Sequence, residues 1–309
     1  MRLGLVGRIV RRVMHSRVML SAIACSITLL PGLVGLVGCA AKRTVAATQT
    51  TPAAFDPGAS DAQAITTVDE MMAALGGAEA WQQVKQVRWE LQYYQNDELL
   101  GWVRHSWDIW NGRHRYEFSD SSGVKAYNAS GGAELPLFTI AMYDLFDHQG
   151  KGVVTNSAIE GTPQRGAVAA DRDRIVAESF KSWQRDSYQL AMLYKLKDPG
   201  VKLSYVGERE NFGGKCEPGC IDIKVTFVPE VGNDLYHVLI NKQSKLPEVI
   251  AKDFDGTRSV AFRIASWAKV GEMQFPAVLQ NVGPNEEFRI KNIQIGEPED
   301  ELYVPRVFN

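Results

Sequence analysis

Histidine and cysteine are scarce in this sequence, five and four in 309 residues. There is no His-Glu-x-x-His pair, no Gly-x-Ser-x-Gly elbow, no P-loop and no Gly-x-Gly-x-x-Gly turn. The common zinc-protease, serine-hydrolase, nucleotide and dinucleotide sites are therefore not leading readings. No 20–50-residue repeat is present, which sets aside solenoids and propellers. Aspartate and glutamate are missing from the first 38 residues, where Arg2, Arg8, Arg11, Arg12 and Arg17 lie. The rest of the chain holds 29 basic and 36 acidic residues, a net charge of −7. That sign makes it a poor electrostatic partner for nucleic acid or a bare anionic lipid surface. With 45% hydrophobic and 23% charged residues, a mostly disordered chain is excluded too.

What is present begins at the N-terminus. After the five arginines, residues 18–37 run for twenty positions without a charge. A run of that length could span a bilayer. Pro31-Gly32 interrupts it, however, and the small-residue quartet Leu36-Val37-Gly38-Cys39 follows. A basic stretch, an apolar stretch and a small-residue cleavage site describe a secretory signal peptide over 1–38. The quartet resembles the bacterial lipobox. That resemblance implies a diacylglyceryl group on the Cys39 sulfur, cleavage before Cys39, and acylation (palmitate or a similar chain) of the freed amine. Several chains make a stable anchor where one would be marginal. Ala40 rather than Asp follows Cys39, and likeness to sorted lipoproteins then implies a periplasm-facing outer-membrane location. Met14 and Met19 are alternative starts, and Arg11-Arg12 is a faint twin-arginine signal.

Removing the signal peptide removes Cys25, and lipidation occupies Cys39. Cys216 and Cys220 then remain as one pair in an oxidising compartment. Pro218-Gly219 between them suits the centre of a type II turn, which brings chain ends within bridging distance. A disulfide is expected, and no metal site, since neither a second thiol pair nor nearby histidines accompany it.

Residues 39–65 are rich in Ala, Thr, Gln and Pro and read as a lipidated cysteine with a flexible tether, spanning roughly 25–30 Å as a random coil. A single domain is expected over 66–309. Thr67-x-x-Glu70 reads as a capping box, with Val68, Met71, Met72 and Leu75 on one helical face and Gly76-Gly77 as the stop. From Val87 the period changes to two. Val87, Trp89, Leu91 and Tyr93 alternate with polar neighbours. A second run over 101–110 leads into Asn111-Gly112, a strong hairpin signal, and residues 113–119 return. Shorter strands are expected at 123–128, 141–147 and 152–156, and a loop over 158–170. Residues 171–196 are the one long helical candidate, with Val176, Phe180, Trp183, Ser187, Leu190 and Tyr194 in one stripe and a possible break at Ser182 or Ser187. After Val201 the alternation and short turns, including Asp255-Gly256, describe an antiparallel meander. Eleven to thirteen strands are too many for one flat sheet. The fold class is mainly β, a curled antiparallel sheet with helices covering its concave side.

Candidate chemistry is sparse. His105, His114, His148 and His237 are not spaced as ligands on one face and read as ordinary surface or half-buried residues. Asp144, Asp147 and His148 put acid beside imidazole, but a strand end entering a turn explains them as well. No catalytic residue, cofactor or metal is assigned. Aromatic residues are the remaining feature. In the run 101–110, Trp102 and Trp110 face one side while Val103, Trp107 and Ile109 face the other. An antiparallel sheet usually keeps one face wet, so two packed surfaces, or one core and one ligand surface, are expected.

Several of these features together resemble a known family. They are the Gly76-Gly77…Trp81 opening, the first strand at Val87, the helical Phe180-Lys181-Ser182-Trp183, and the meander containing residues 236–241, Lys245-Leu246-Pro247 and Met273-Gln274-Phe275-Pro276. Over about residues 67–305 the chain resembles the outer-membrane lipoprotein-sorting carriers and receptors of the Lol type. The resemblance implies an incomplete antiparallel β-barrel closed by helices, with an apolar cavity for lipid or lipoprotein acyl chains, and no enzymatic activity. A cavity between the sheet and the helical segment is expected, lined by Val176, Phe180, Trp183, Leu190 and Tyr194 from the helix and by Val87, Trp89, Leu91 and Tyr93 from the strands. The alternatives are an interaction lipoprotein without a cavity, whose helix fills the sheet, and an enzyme with an unrecognised site.

Overall fold

The computed structural model describes residues 54–119, 121–133, 138–147, 152–156, 169–229, 234–254 and 258–304. The apolar run, the lipobox at Cys39, most of the tether, His148 and the Asp255-Gly256 turn lie outside them.

The described chain is mainly β. Twelve strands form one antiparallel sheet, ordered β5-β4-β3-β2-β1-β12-β11-β10-β9-β8-β7-β6, which does not close. The first five strands are β1 (Gln86–Gln95), β2 (Glu98–Asp108), β3 (Arg113–Ser119), β4 (Phe138–Asp144) and β5 (Val153–Asn156). The later seven are β6 (Val201–Arg209), β7 (Cys220–Phe227), β8 (Leu235–Asn241), β9 (Pro247–Phe254), β10 (Arg258–Val270), β11 (Met273–Asn281) and β12 (Glu286–Gly296). Two meanders grow outward from a central seam where the first strand meets the last, with Leu91 opposite Ile290 and Tyr93 opposite Phe288.

This order dictates the position of the long helix. Edge strand β5 is joined to the opposite edge strand β6 by the segment that carries α4 (Ala169–Ala191). Eleven inter-strand steps at about 4.8 Å would separate flat edges by roughly 53 Å. A 23-residue helix is only about 35 Å long. The sheet curls so that both halves meet α4. Val176, near its start, packs with Tyr116, Tyr143 and Val154 of the β3–β5 half. Tyr188, near its end, stacks on Tyr236 of β8 at 5.7 Å. No break occurs at Ser182 or Ser187. The helix runs to Ala191 and passes into a 3₁₀ turn, Met192–Tyr194.

Helix α1 (Ala62–Ala74) starts before the expected capping box. Thr67 lies inside it and donates its hydroxyl to the Gln63 carbonyl at 2.9 Å, so it cannot cap. The residues ahead of α1 instead cover the sheet edge. Asp61 N–H donates to Leu203 O, Ser60 Oγ accepts from Leu203 N, and the Asp61 carboxylate accepts from Tyr205 N. An uncovered edge strand invites pairing with another chain, and β6 is protected here. Gly76 and Gly77 end α1 as expected, with Gly77 N–H on Met72 O and Gly76 N–H on Ala73 O, the paired bonds of a Schellman stop.

Residues 121–129 are a helix, α3 (Ser121–Ala129), rather than the expected strand. Val124, Tyr127 and Asn128 fall at i, i+3 and i+4. The first two cover Trp102 and Phe138, while Asn128 Nδ2 donates to Leu99 O. This explains the apolar groups on both faces of β2. Trp102 packs under α3, and Trp107 packs inward against Trp81 of the short helix α2 (Ala78–Gln82) and Trp183 of α4. Both faces are packed surfaces.

Candidate functional site

The inner face of β1–β4 carries a buried polar cluster. The Asn111-Gly112 turn sets the β2–β3 register, placing His105 opposite Tyr116 and Trp107 opposite His114. The two histidines are diagonal neighbours on one face, and both are fully buried rather than at the surface or half-buried as expected. His105 Nδ1 and His114 Nε2 share a hydrogen bond of 3.2 Å, and His114 Nδ1 and the Tyr143 hydroxyl share one of 2.8 Å. On the other side, His105 Nε2 lies 3.3 Å from Asp186 Oδ2 of α4, an electrostatic contact without hydrogen-bond alignment. Trp89 stacks on His105 at 4.3 Å, nearly parallel.

Burial controls the charges. It pulls the His105 imidazole below its ordinary value despite Asp186, and it pulls His114, which also faces His105, well below. Both rings are neutral at physiological pH. Burial alone would raise Asp186. His105 and Arg185 outweigh it and hold the carboxyl below the ordinary carboxylate value. Burial pushes the Tyr116 hydroxyl up to about 12, and Tyr143 is raised as well. Every member of this cluster except Arg185 is shut off from solvent, and the contact between His105 and Asp186 joins the sheet to α4.

The accessible site lies on the other flank of α4. A cavity of about 670 Å³ separates the C-terminal half of this helix from strands β7–β12. The helix wall presents Lys181, Gln184, Arg185, Tyr188, Gln189 and Met192. The sheet wall is apolar. Cross-strand register puts Phe262 beside Ile250, Val260 beside Lys252, and Leu279 beside Phe288 on this face. Phe227, Ile250, Phe262 and Phe288 remain half-buried, with apolar surface left toward the cavity. Aromatic packing holds the walls. Tyr188 and Phe227 meet edge to face at 6.3 Å, and Phe262 and Phe288 do so at 5.4 Å. Asp234 and Lys252 sit at the rim, paired at 2.7 Å. The described lining contains no His, Cys or Ser and one carboxylate, Asp234. A second hollow, of about 690 Å³, lies beside Gly76 and Gly77 and is lined by small and charged residues, without an apolar wall.

The nine residues expected to line a cavity lie elsewhere. Val87, Trp89, Leu91, Leu190, Trp183 and Tyr194 belong to the main core. Val176 and Phe180 belong to the cluster on β3–β5. Tyr93 packs against Phe288, the tilted rings 5.1 Å apart. Tyr194 donates its hydroxyl to a backbone carbonyl, lying 2.7 Å from Leu75 O and 2.8 Å from Gln274 O. None lines the 670 Å³ cavity. The apolar stripe of α4 docks the helix, and the flanking, more polar face looks into the cavity. Alternation within β2, with Val103 and Trp107 inward, already placed His105 inward. The tertiary partner Asp186 had no such signal.

The Cys216 and Cys220 sulfurs are 2.16 Å apart in a disulfide, buried with Leu239 and Val249. Glu248 lies against both and accepts from the Cys216 N–H and from Asn241. Asp144 Oδ1 accepts from the backbone N–H groups of Phe146 and Asp147, the behaviour of a turn cap.

No family model and no curated protein matches the sequence. Solved structures do match. A DUF1329 family protein from Desulfovibrio piger superposes over 78% of this chain and 97% of its own, at 10% identity and a TM-score of 0.43. A LolA superfamily protein from Nitrosomonas europaea superposes over 77% of this chain and 97% of its own, at 7% identity and a TM-score of 0.40. Likeness of this degree is one of chain path, not of ligand.

Proposed function

We propose that this protein is an envelope lipoprotein, anchored through acyl chains on Cys39, that binds a lipid or lipoprotein acyl chain non-covalently between α4 and the β7–β12 half of its sheet. One observation carries the binding reading. The helix docks by its apolar stripe and leaves beside it an apolar wall, Phe227, Ile250, Phe262, Leu279 and Phe288, facing a cavity of about 670 Å³. Small-molecule sites fall in the range of roughly 300–1,000 Å³ and are lined mainly by such groups. A fold that needed only a filled core would close this space, because interiors pack like crystals.

The anchor reading rests on the arginine-rich start, the uncharged run and the Leu36-Val37-Gly38-Cys39 quartet. It places the folded body at the outer membrane, facing the periplasm. Cys39→Ser should abolish metabolic lipid labelling and leave an unprocessed precursor, and normal anchoring of that variant would refute it. Binding is tested by titrating the purified protein with a fluorescent fatty acyl probe and by native mass spectrometry for co-purified lipid. Ile250→Trp, which fills the cavity from its sheet wall, should remove probe binding while the melting transition stays near wild type. A protein that binds no probe and carries no lipid would leave the scaffold reading in its place.

A further inference from the structure

We infer that the cavity selects amphiphiles with an anionic head, a carboxylate or a phosphate, and that Lys181, Arg185 and Lys252 meet that head. The inference rests on the acyl-binding reading above and adds the chemistry of the ligand's polar end.

The two walls differ in kind. The sheet wall supplies aromatic and aliphatic surface for a chain, while the helix wall is polar and cationic. Three cations and one carboxylate line the cavity, in a chain that is net −7 beyond residue 38. The positive balance is local and opposes the global sign. Lys181 and Arg185 are i and i+4 on α4, the spacing that sets two side chains on one helix face.

Their commitments differ as well. Lys252 already pairs with Asp234. Arg185 gives Nε and Nη2 to Asp186 at 2.7 and 3.2 Å, and its side chain stays 64% exposed. Asp186 fixes one edge of the guanidinium, so the group is held in place at the cavity wall. Lys181 is exposed and has no carboxylate within ion-pair distance among the described residues. It is the cation with charge to offer. An anionic head placed beside it would sit against low-dielectric aromatic surface, where charge-assisted hydrogen bonds are stronger than in bulk water.

The test compares two probes with the same tail, cis-parinaric acid and its uncharged methyl ester, on the full-length protein at pH 7.5. The acid should bind about tenfold more tightly than the ester, the effect of one charge-assisted hydrogen bond. Lys181→Glu should weaken the acid by a further factor of about ten and leave the ester within about twofold. Lys181→Ala should show the same pattern to a smaller degree, and both variants replace an exposed side chain. Displacement of the acid by oleate and by a lysophosphatidylglycerol separates the two heads, the stronger and Lys181-dependent competitor being the preferred one. Equal binding of acid and ester, with neither variant altering it, would overturn the inference and leave the acyl-binding reading standing. If neither probe binds, the acyl-binding reading itself fails.

Discussion

Arg185 and Asp186, adjacent in sequence, stand on opposite sides of a boundary. The guanidinium lies at the wall of the cavity, while the carboxylate it grips at 2.7 Å is fully buried against His105. Sequence neighbours on a helix point about 100° apart, and here that angle links an accessible face to a closed one. The pair connects the cavity to the His105–His114–Tyr143 cluster that seats α4.

Removing Asp186 should therefore be costly. Asp186→Ala leaves His105 without its acidic neighbour and opens a hole beneath α4. Arg185 stays exposed and His105 is neutral, so no buried charge is stranded, and the expected cost is that of the lost charge-assisted hydrogen bonds, about 1.5–3 kcal/mol. Chemical denaturation of the variant, with an unchanged m-value, checks this. A loss below about 1 kcal/mol would show that the cluster does not hold the helix.

The two buried imidazoles give stability a definite pH dependence. Both are held below the ordinary value of 6.5, so the unfolded chain takes up their protons at higher pH than the folded one. Above pH 6.5 they are neutral in both states and contribute no slope. As pH falls below that value, proton uptake favours unfolding, and stability drops. Asp186, held below its ordinary 3.8, adds a further loss in the acid range below that value. The prediction is a decline in unfolding free energy from about pH 6.5 downward. His114→Gln, which retains a polar side chain without a titrating proton, should flatten the slope. An equal slope in wild type and variant would show that other groups carry it.

Much of the architecture was legible from the chain alone. Alternation at Val87–Tyr93, the Asn111-Gly112 turn and the meander after Val201 led to a curled antiparallel sheet of eleven to thirteen strands, and the described residues form twelve. Local patterns suffice where period and turn chemistry agree. Residues 121–129 escaped because a nine-residue amphipathic helix shows only two apolar positions, Val124 and Tyr127, and these also fit a short strand. The buried histidines were half legible. Hairpin register pairs 105 with 116 and 107 with 114, so both lie inward, yet their spacing, unlike that of ligands on one face, suggested ordinary surface or half-buried positions. The cavity was the least legible part. A helical stripe shows which face is apolar but not whether that face docks or lines a void, since this depends on the curvature of a sheet built from distant strands.

Gly76 offers a sharp local test. Its φ of 111° is strained for any residue with a side chain. An added Cβ would also lie 2.4 Å from Glu272 O in the β10–β11 turn, a backbone atom that cannot swing aside. Gly76→Ala should cost at least about 1–3 kcal/mol. Gly77, although at φ 96°, has no atom within 4 Å of a built Cβ, so Gly77→Ala carries the conformational penalty alone and should cost less. Thermal melts of the two variants side by side check the order.

The Cys216–Cys220 bridge closes a short loop, with a sequence separation of 4. The chain-entropy term for so short a loop is about 2 kcal/mol. Cys216→Ser with Cys220→Ser should therefore destabilise by about 2 kcal/mol or slightly more, because two polar hydroxyls replace buried sulfur. Peptide mapping without reduction tests the bridge itself, and two free thiols in protein isolated without reductant would refute it.

The docked face of α4 and the sheet wall across the cavity make opposite predictions, and this separates a docking surface from a ligand surface. Leu190 is fully buried in the main core, whereas Phe262 is half-buried across the cavity from the other flank of the helix. Leu190→Ala removes packed methyl groups and leaves a void, at a cost of about 2–5 kcal/mol. Protein that remains folded should still bind an acyl probe with near wild-type affinity, because Leu190 does not line the site. Phe262→Ala removes a ring that already faces open space on one side, so its stability cost should fall below that of Leu190→Ala. It should weaken probe binding instead, by roughly tenfold, because the acyl chain no longer has that ring to bury itself against. Denaturation and probe titration on the same two preparations read both effects. If Leu190→Ala abolished binding in folded protein while Phe262→Ala left it intact, the ligand would lie along the apolar stripe of α4 rather than in the flanking cavity.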